Sequence, residues 1–337
     1  RLFFPRAPHW TVAPAIVALM MSLPVTWLLA HPAMLEAAIA GGQCFIFLGL
    51  YFAMTALETS KPRCPSLLIA GICWALSWGC RLSLVPAIGA IALLTFLELR
   101  GHGKNRRSVS AWIMPAIALA TPLTIGAVGM LFYNRARFGS WTQTGWDYQL
   151  AWMNHHALAG KGFLVSPRYI PTNLYRYLIE LPAFGRNFPY LFIQRGAHGP
   201  VRLFHPPDLL ALELTGGILW SAPFCLFALG LLVPSKPTGS NESSQFSTAP
   251  RELFRWFTRC LLAACVLAMG PVLCGIGSVE RYLGDGAPAL LMLAVLGAWR
   301  LLARTRDGSR SRWNLIGAIV SLATMTAIFG ILLLFEA

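Results

Sequence analysis

Charge is what this sequence has least of. Only 12% of its 337 residues are Asp, Glu, Lys or Arg, against 56% hydrophobic residues, too few polar side chains to coat a soluble particle of this size. The shortage excludes a water-soluble globule and points to a multi-spanning membrane protein, with lipid covering much of the surface. Long alternations of apolar and polar residues are missing too, which excludes a transmembrane barrel. The apolar runs are continuous instead, and in helical form roughly 17–25 such residues cross a hydrocarbon core of about 30 Å. An all-α, polytopic integral membrane fold is the expectation.

Signatures of soluble enzymes are also lacking. There is no Walker loop, no dinucleotide fingerprint after a strand and no G-x-S-x-G nucleophile elbow. His155 and His156 are adjacent, so they do not share a helix face, and no Cys or carboxylate follows at metal spacing. No cofactor is evident; a divalent metal is compatible with the chemistry inferred below, but the sequence supplies no ligand set for one. Of the eight cysteines, Cys44, Cys73, Cys225, Cys260 and Cys265 lie within apolar runs, Cys80 and Cys274 near span ends, and Cys64 in a basic loop. None falls in the long polar region, so structural disulfides are not expected.

What is present is a series of nine candidate spans, at about 11–30, 33–57, 67–80, 83–99, 111–133, 214–233, 258–277, 286–303 and 314–335. The net charge of +14 would suit nucleic acid in a soluble protein, but here the basic residues sit between spans, so topology explains them and no nucleic-acid partner is expected. The N-terminal stub (Arg1, Arg6), the 58–66 loop (Lys61, Arg63), RGHGKNRRSVS, the 234–257 linker and RTRDGSRSRW carry 16 of the 27 Lys and Arg when Arg300 is included. The short loops of opposite parity carry only Arg81 and Arg281, so every loop agrees with one orientation. The NES sequon at 241–243 falls on the inner side of that orientation and is discounted.

Three regions follow: a membrane region of about five spans over 1–133, an outer-face interfacial segment over 134–213, and a membrane region of about four spans over 214–337 that contains the flexible inner linker 234–257. Residues 67–99 must cross an even number of times in 33 residues, so this hairpin is short or partly re-entrant, with Arg81 on its tip. The 134–213 segment holds 14 aromatic and eight basic residues, which suits short helices lying on the membrane interface and broken by Pro167, Pro171, Pro182, Pro189 and Pro200.

Chemistry concentrates in a few charges. An arginine at membrane depth costs about 2.5–3.5 kcal/mol unless it pairs, snorkels or meets an anion. Arg81 is open to all three, and a lipid phosphate matches its guanidinium fork. In SVERYLGDGAPALLMLA, Glu280 and Arg281 cap and anchor a span or line a site, and Asp285 is favourably placed near a helix N-terminus. Arg281 followed by Tyr282 joins a cation to an aromatic ring, a seat for a phosphate and the face of a sugar or lipid. His31, Glu36, Arg135, Arg137, Asp147, Tyr148, Arg168 and Arg176 share that outer side and form either a substrate and acceptor region, to which Asp285 also belongs, or an interfacial belt.

LSWGCRLSLVPA, FYNRARFGSWTQTGWDYQLA, TGGILWSAPF and ERYLGDGAPALLML together resemble bacterial membrane proteins of the C-type, polyprenyl-phosphate-dependent glycosyltransferase superfamily. The resemblance implies transfer of a sugar from a polyprenyl-phosphate carrier to an acceptor on the outer face of the bacterial inner membrane. Arg281, Tyr282 and Pro288 match the family's Arg-Tyr followed by Pro, and Arg81 matches a basic residue after a Gly-containing turn; both arginines, with Tyr282, are expected at the carrier phosphate. The family's essential acidic residue sits in a first outer loop that this chain does not show, so the catalytic base is expected upstream of Arg1. Membrane lipids are the other expected partners. A transporter or lipid flippase, a surface-polysaccharide ligase or polymerase, and a structural scaffold are the alternatives.

Overall fold

The computed structural model describes residues 3–4, 8–30, 33–59, 62–101, 110–145, 164–193, 211–212, 215–234 and 248–335. Asp147, Tyr148, His31, His155, His156, the NES sequon and most of the 234–257 linker lie outside the described residues. The described chain is mainly helical: α1 (Val12–Met20), α2 (Leu23–Ala30), α3 (Met34–Leu57), α4 (Cys64–Cys80), α5 (Val85–Gly101), α6 (Ser110–Phe138), α7 (Ile170–Leu178), α8 (Ile218–Ser221), α9 (Thr248–Leu273), α10 (Ala287–Leu302) and α11 (Arg310–Leu334). Its strands are two-residue pieces: β1 (Ala183–Phe184) and β2 (Leu191–Phe192) pair antiparallel, and β3 (Ala211–Leu212) pairs parallel with β4 (Gly277–Ser278).

Among the described residues, five helices are long and apolar enough to cross a membrane: Met34–Leu57, Leu82–Gly101, Trp112–Phe138, Arg251–Leu273 and Arg310–Leu334. A sixth crossing is available if α1 and α2, bent by 54° at Met21–Ser22, form one span. The 67–80 and 286–303 runs form the shorter apolar helices α4 and α10. The 214–233 run differs from the expected span: it holds the four-residue α8 and a tighter 3₁₀ stretch over Pro223–Leu231. Pro223 has no N–H to continue α8 and restricts the residue before it, so apolar composition alone does not make this stretch an α-helix.

Without a hydrophobic drive between helices inside lipid, close approach depends on small residues. A side chain at Gly49 would run into the Trp74 indole, whose Nε1 donates to the Ile46 carbonyl at 3.3 Å, and Ser77 Oγ donates to the Gly42 carbonyl at 2.8 Å. Gly42 makes room for Leu84 in the turn that follows α4, and Gly49 lets α4 lie against α3. Gly297 does the same for α10, whose backbone meets the Phe227 carbonyl of the 3₁₀ stretch. The two largest core clusters grow around these contacts, one centred on Leu50, Trp74, Ile88 and Trp256, the other on Phe224, Leu291, Val295 and Ile319. Exposed Val320, Met325, Ile328 and Ile331 on α11, like Leu93 and Leu97 on α5, leave apolar faces turned outward, as lipid-facing helices require.

Candidate functional site

The start of α3, the turn after α4 and the approach to α10 meet at one end of the bundle. The approach is the 3₁₀ stretch Glu280–Asp285, in which Glu280, Leu283, Gly284 and Asp285 are buried. Its glycines explain how it fits: a side chain at Gly284 would come 2.8 Å from Ile39, and one at Gly286 would come 3.0 Å from the Cys265 carbonyl. The LGDG sequence thus threads between α3 and α9 and sets Asp285 beneath the α4–α5 turn.

Asp285 is the hub. Arg81 grips it with both arms of its fork, Nε donating to Oδ1 at 3.2 Å and Nη2 to Oδ2 at 2.8 Å. Ser83 Oγ donates to Oδ2 at 2.9 Å, and Gln43 Nε2 donates to the Asp285 main-chain carbonyl at 2.7 Å. The Asp285 side chain is fully buried and Arg81 only 14% exposed, so this is a bidentate ion pair that ties the α4–α5 hairpin to the head of α10. Of the three open fates for Arg81, pairing is the one realised.

Arg281 is held differently. Its nearest carboxylate oxygen, Glu36 Oε1, is 3.7 Å away, beyond ordinary hydrogen-bond length, and its side chain is 24% exposed. Its Nε is buried with no hydrogen-bond partner among the described residues, and the same holds for Gln43 Oε1. Tyr282 lies between the two arginines, with the Arg81 guanidinium 5.0 Å and the Arg281 guanidinium 5.5 Å from its ring centroid. This end of the bundle therefore offers one committed guanidinium, one loosely engaged guanidinium and a ring that both cations face.

A second polar cluster lies directly behind. Arg176 on α7, fully buried, donates through Nε to Glu180 Oε2 at 2.6 Å and through Nη1 to Ser278 Oγ. Tyr177 Oη accepts from the Val279 N–H at 3.1 Å, and Asn173 Nδ2 donates to the Leu273 and Gly275 carbonyls, each at 2.9 Å. Glu280 accepts from the Gly216 N–H at 2.7 Å through Oε2, while Oε1 has no partner among the described residues. Burial pushes the Glu280 carboxyl up to about 8; the Gly216 N–H and the Arg176 charge oppose the rise and Glu180 adds to it. Burial likewise raises the Tyr177 hydroxyl.

Of the residues singled out by sequence, Arg81, Arg281, Tyr282, Glu36 and Asp285 come together. Arg176 lies behind them, enclosed and unable to meet an acceptor directly. Arg137 lies apart, at the end of α6, against Tyr133 and Phe138. Ser83, Gln43 and Glu180 belong to these clusters and were missed; only Glu180, one turn after Arg176, carries a local signal. Among the described residues no group of three His, Cys, Asp or Glu side chains is gathered to hold a metal. No protein-family model matches the chain, and neither the curated proteins nor the solved structures yield a match.

Proposed function

We propose that this chain is a membrane glycosyltransferase that takes a sugar from a polyprenyl-phosphate-linked donor, with Arg281 as the ligand of the carrier phosphate. In this reading the site lies on the outer face of the bacterial inner membrane, and the bent α1–α2 pair, α4, α10 and the 214–233 stretch join the five long helices to give nine membrane segments. The observation that carries the proposal is the state of Arg281: an intramembrane-end guanidinium with its Nε unmet and its carboxylate neighbour at 3.7 Å is prepared for a better anion.

The chemistry follows from that placement. An acceptor hydroxyl attacks the anomeric carbon while the bond from that carbon to the phosphate oxygen breaks. Negative charge grows on the departing phosphate, where Arg281 meets it, and Tyr282 supplies a face for the carrier or sugar. Phosphate on Arg281 displaces Glu36, and a carboxylate base takes the hydroxyl proton. Arg81 acts through Tyr282 and Asp285, as a brace rather than a second phosphate ligand.

The test compares wild type with Arg281→Ala in proteoliposomes containing undecaprenyl phosphate and its labelled sugar derivatives. Loss of carrier binding and of sugar transfer, with an unchanged melting temperature, supports the assignment. Equal turnover in Arg281→Ala refutes it, and movement of the labelled lipid across the bilayer without chemical change replaces it with transport.

A further inference from the structure

The β1–β2 hairpin has an anchored strand and an exposed rim. On β2 and just after it, Leu191 and Ile193 are buried against Leu23 and Leu333, with Trp27, Phe329 and Leu332 packed around them, so the hairpin is fastened to the far end of α11. On the outer strand and the turn, Phe184, which pairs with Leu191, and Phe188 and Tyr190 are 76%, 56% and 53% exposed. The tip is a short closed turn: the Gly185 N–H donates to the Tyr190 carbonyl at 2.9 Å and the Tyr190 N–H to the Asn187 carbonyl at 2.8 Å. Gly185 is required there, since a side chain would overlap the Phe192 ring. Arg186 and Asn187 are exposed at the tip between the rings.

These rings are continuous with the exposed apolar face of α11. Phe188 meets Phe335, the residue after α11, with centroids 5.1 Å apart, and Phe335 extends the outward stripe of Val320, Met325, Ile328 and Ile331. Trp220, also exposed, stands beside Phe329 and Leu333 of the same helix. A belt of exposed rings at the end of a membrane helix, with an arginine among them, matches the chemistry of the headgroup layer: rings at the edge of the hydrocarbon, cation at the phosphates. In water the same rings would form a costly apolar patch.

We propose that residues 183–192 form an interfacial foot that inserts Phe184, Phe188 and Tyr190 into the phospholipid leaflet at the end of α11, with Arg186 at the lipid phosphates. The foot anchors the hairpin that follows α7, and its membrane contact does not depend on what the Arg281 site does.

Replacing Phe184 with the photoreactive ring p-benzoylphenylalanine, in protein reconstituted into phosphatidylethanolamine–phosphatidylglycerol nanodiscs, tests this by intact mass after irradiation. The same ring at Asp307, 90% exposed in the α10–α11 loop, is the reference. Phospholipid adducts several-fold more abundant at 184 than at 307 support the foot. Absence of lipid adducts at 184, or adducts joining two copies of the chain instead, overturns it.

Discussion

Glu280→Gln should change how the stability of this protein depends on pH. In the fold, Glu280 is fully buried, accepts one N–H from Gly216, and faces an Arg176 already engaged by Glu180. Of the charged or titratable groups on the elements around it, Arg176 and Tyr177 come from α7 and Glu180 from the segment just after it, Arg281, Tyr282 and Asp285 from its own stretch, and Glu36 from α3. Burial holds its carboxyl near 8 against an ordinary value of 4.5, so the folded chain keeps the proton that the unfolded chain releases. A raised folded pKa on an acid costs nothing below 4.5; the cost grows as pH rises toward 8 and is constant above it. At ~1.4 kcal/mol per pH unit, the 3.5 units from 4.5 to about 8 correspond to roughly 5 kcal/mol. Gln keeps an acceptor for Gly216 and never ionises. Thermal unfolding of both proteins in detergent, from pH 5.5 to 8.5, should show Glu280→Gln gaining on wild type by several degrees as pH rises. A gap between the two that stays constant over that range would refute the reasoning, because Glu280 would then be ionised in the fold at ordinary pH.

Further consequences can be checked in the same detergent assay. Arg81→Ala leaves the Asp285 carboxylate buried with Ser83 as its remaining side-chain donor, and should cost roughly 3–5 kcal/mol. Adding Asp285→Asn should recover part of that loss; a double variant no more stable than the single would contradict the ion-pair account. Gly297→Ala and Gly330→Ala each drive a methyl into a neighbouring carbonyl, of Phe227 and Met21 respectively, and should cost about 1–3 kcal/mol. Gly317→Ala, on the open face of α11, should be neutral or stabilising by up to about 1 kcal/mol. For the proposed carrier site, Tyr282→Leu should weaken undecaprenyl phosphate binding roughly 2–5-fold while Tyr282→Phe keeps it, since the ring and not the hydroxyl faces the cations; equal losses in both would remove the ring from the site.

The helices that sequence places best are those whose apolar run and backbone agree. The expected span 33–57 is α3, Met34–Leu57, and 314–335 is α11, Arg310–Leu334. Where the run ends but helical propensity does not, the boundary moves: α6 continues through YNRARF to Phe138, beyond the 111–133 apolar stretch, because a helix leaving the bilayer needs no further apolar residues. Where the run continues but the backbone is interrupted, the element changes. Ser22 Oγ bonds to the Leu19 carbonyl and Pro24 follows, so α1 bends into α2. Pro223, after the Gly216–Gly217 pair, divides the 214–233 stretch. Hydropathy measures cost in lipid and carries no information on either interruption.

The charges divide along a different line. Arg176 and Glu180 are one helical turn apart, so their pairing is local and readable. Arg81 and Asp285 are 204 residues apart, and nothing near Arg81 in sequence announces a partner. A sequence therefore shows Arg81 as a cation in search of an anion, and a phosphate serves that description as well as a carboxylate does. The fold removes the ambiguity by geometry: both arms of Arg81 are taken, while Arg281 keeps an unmet Nε and a carboxylate too distant to satisfy it. Two adjacent arginines on one tyrosine thus have opposite assignments. Arg81 contributes to stability at the expense of availability, while Arg281 keeps the unmet donor on which the proposed carrier site rests.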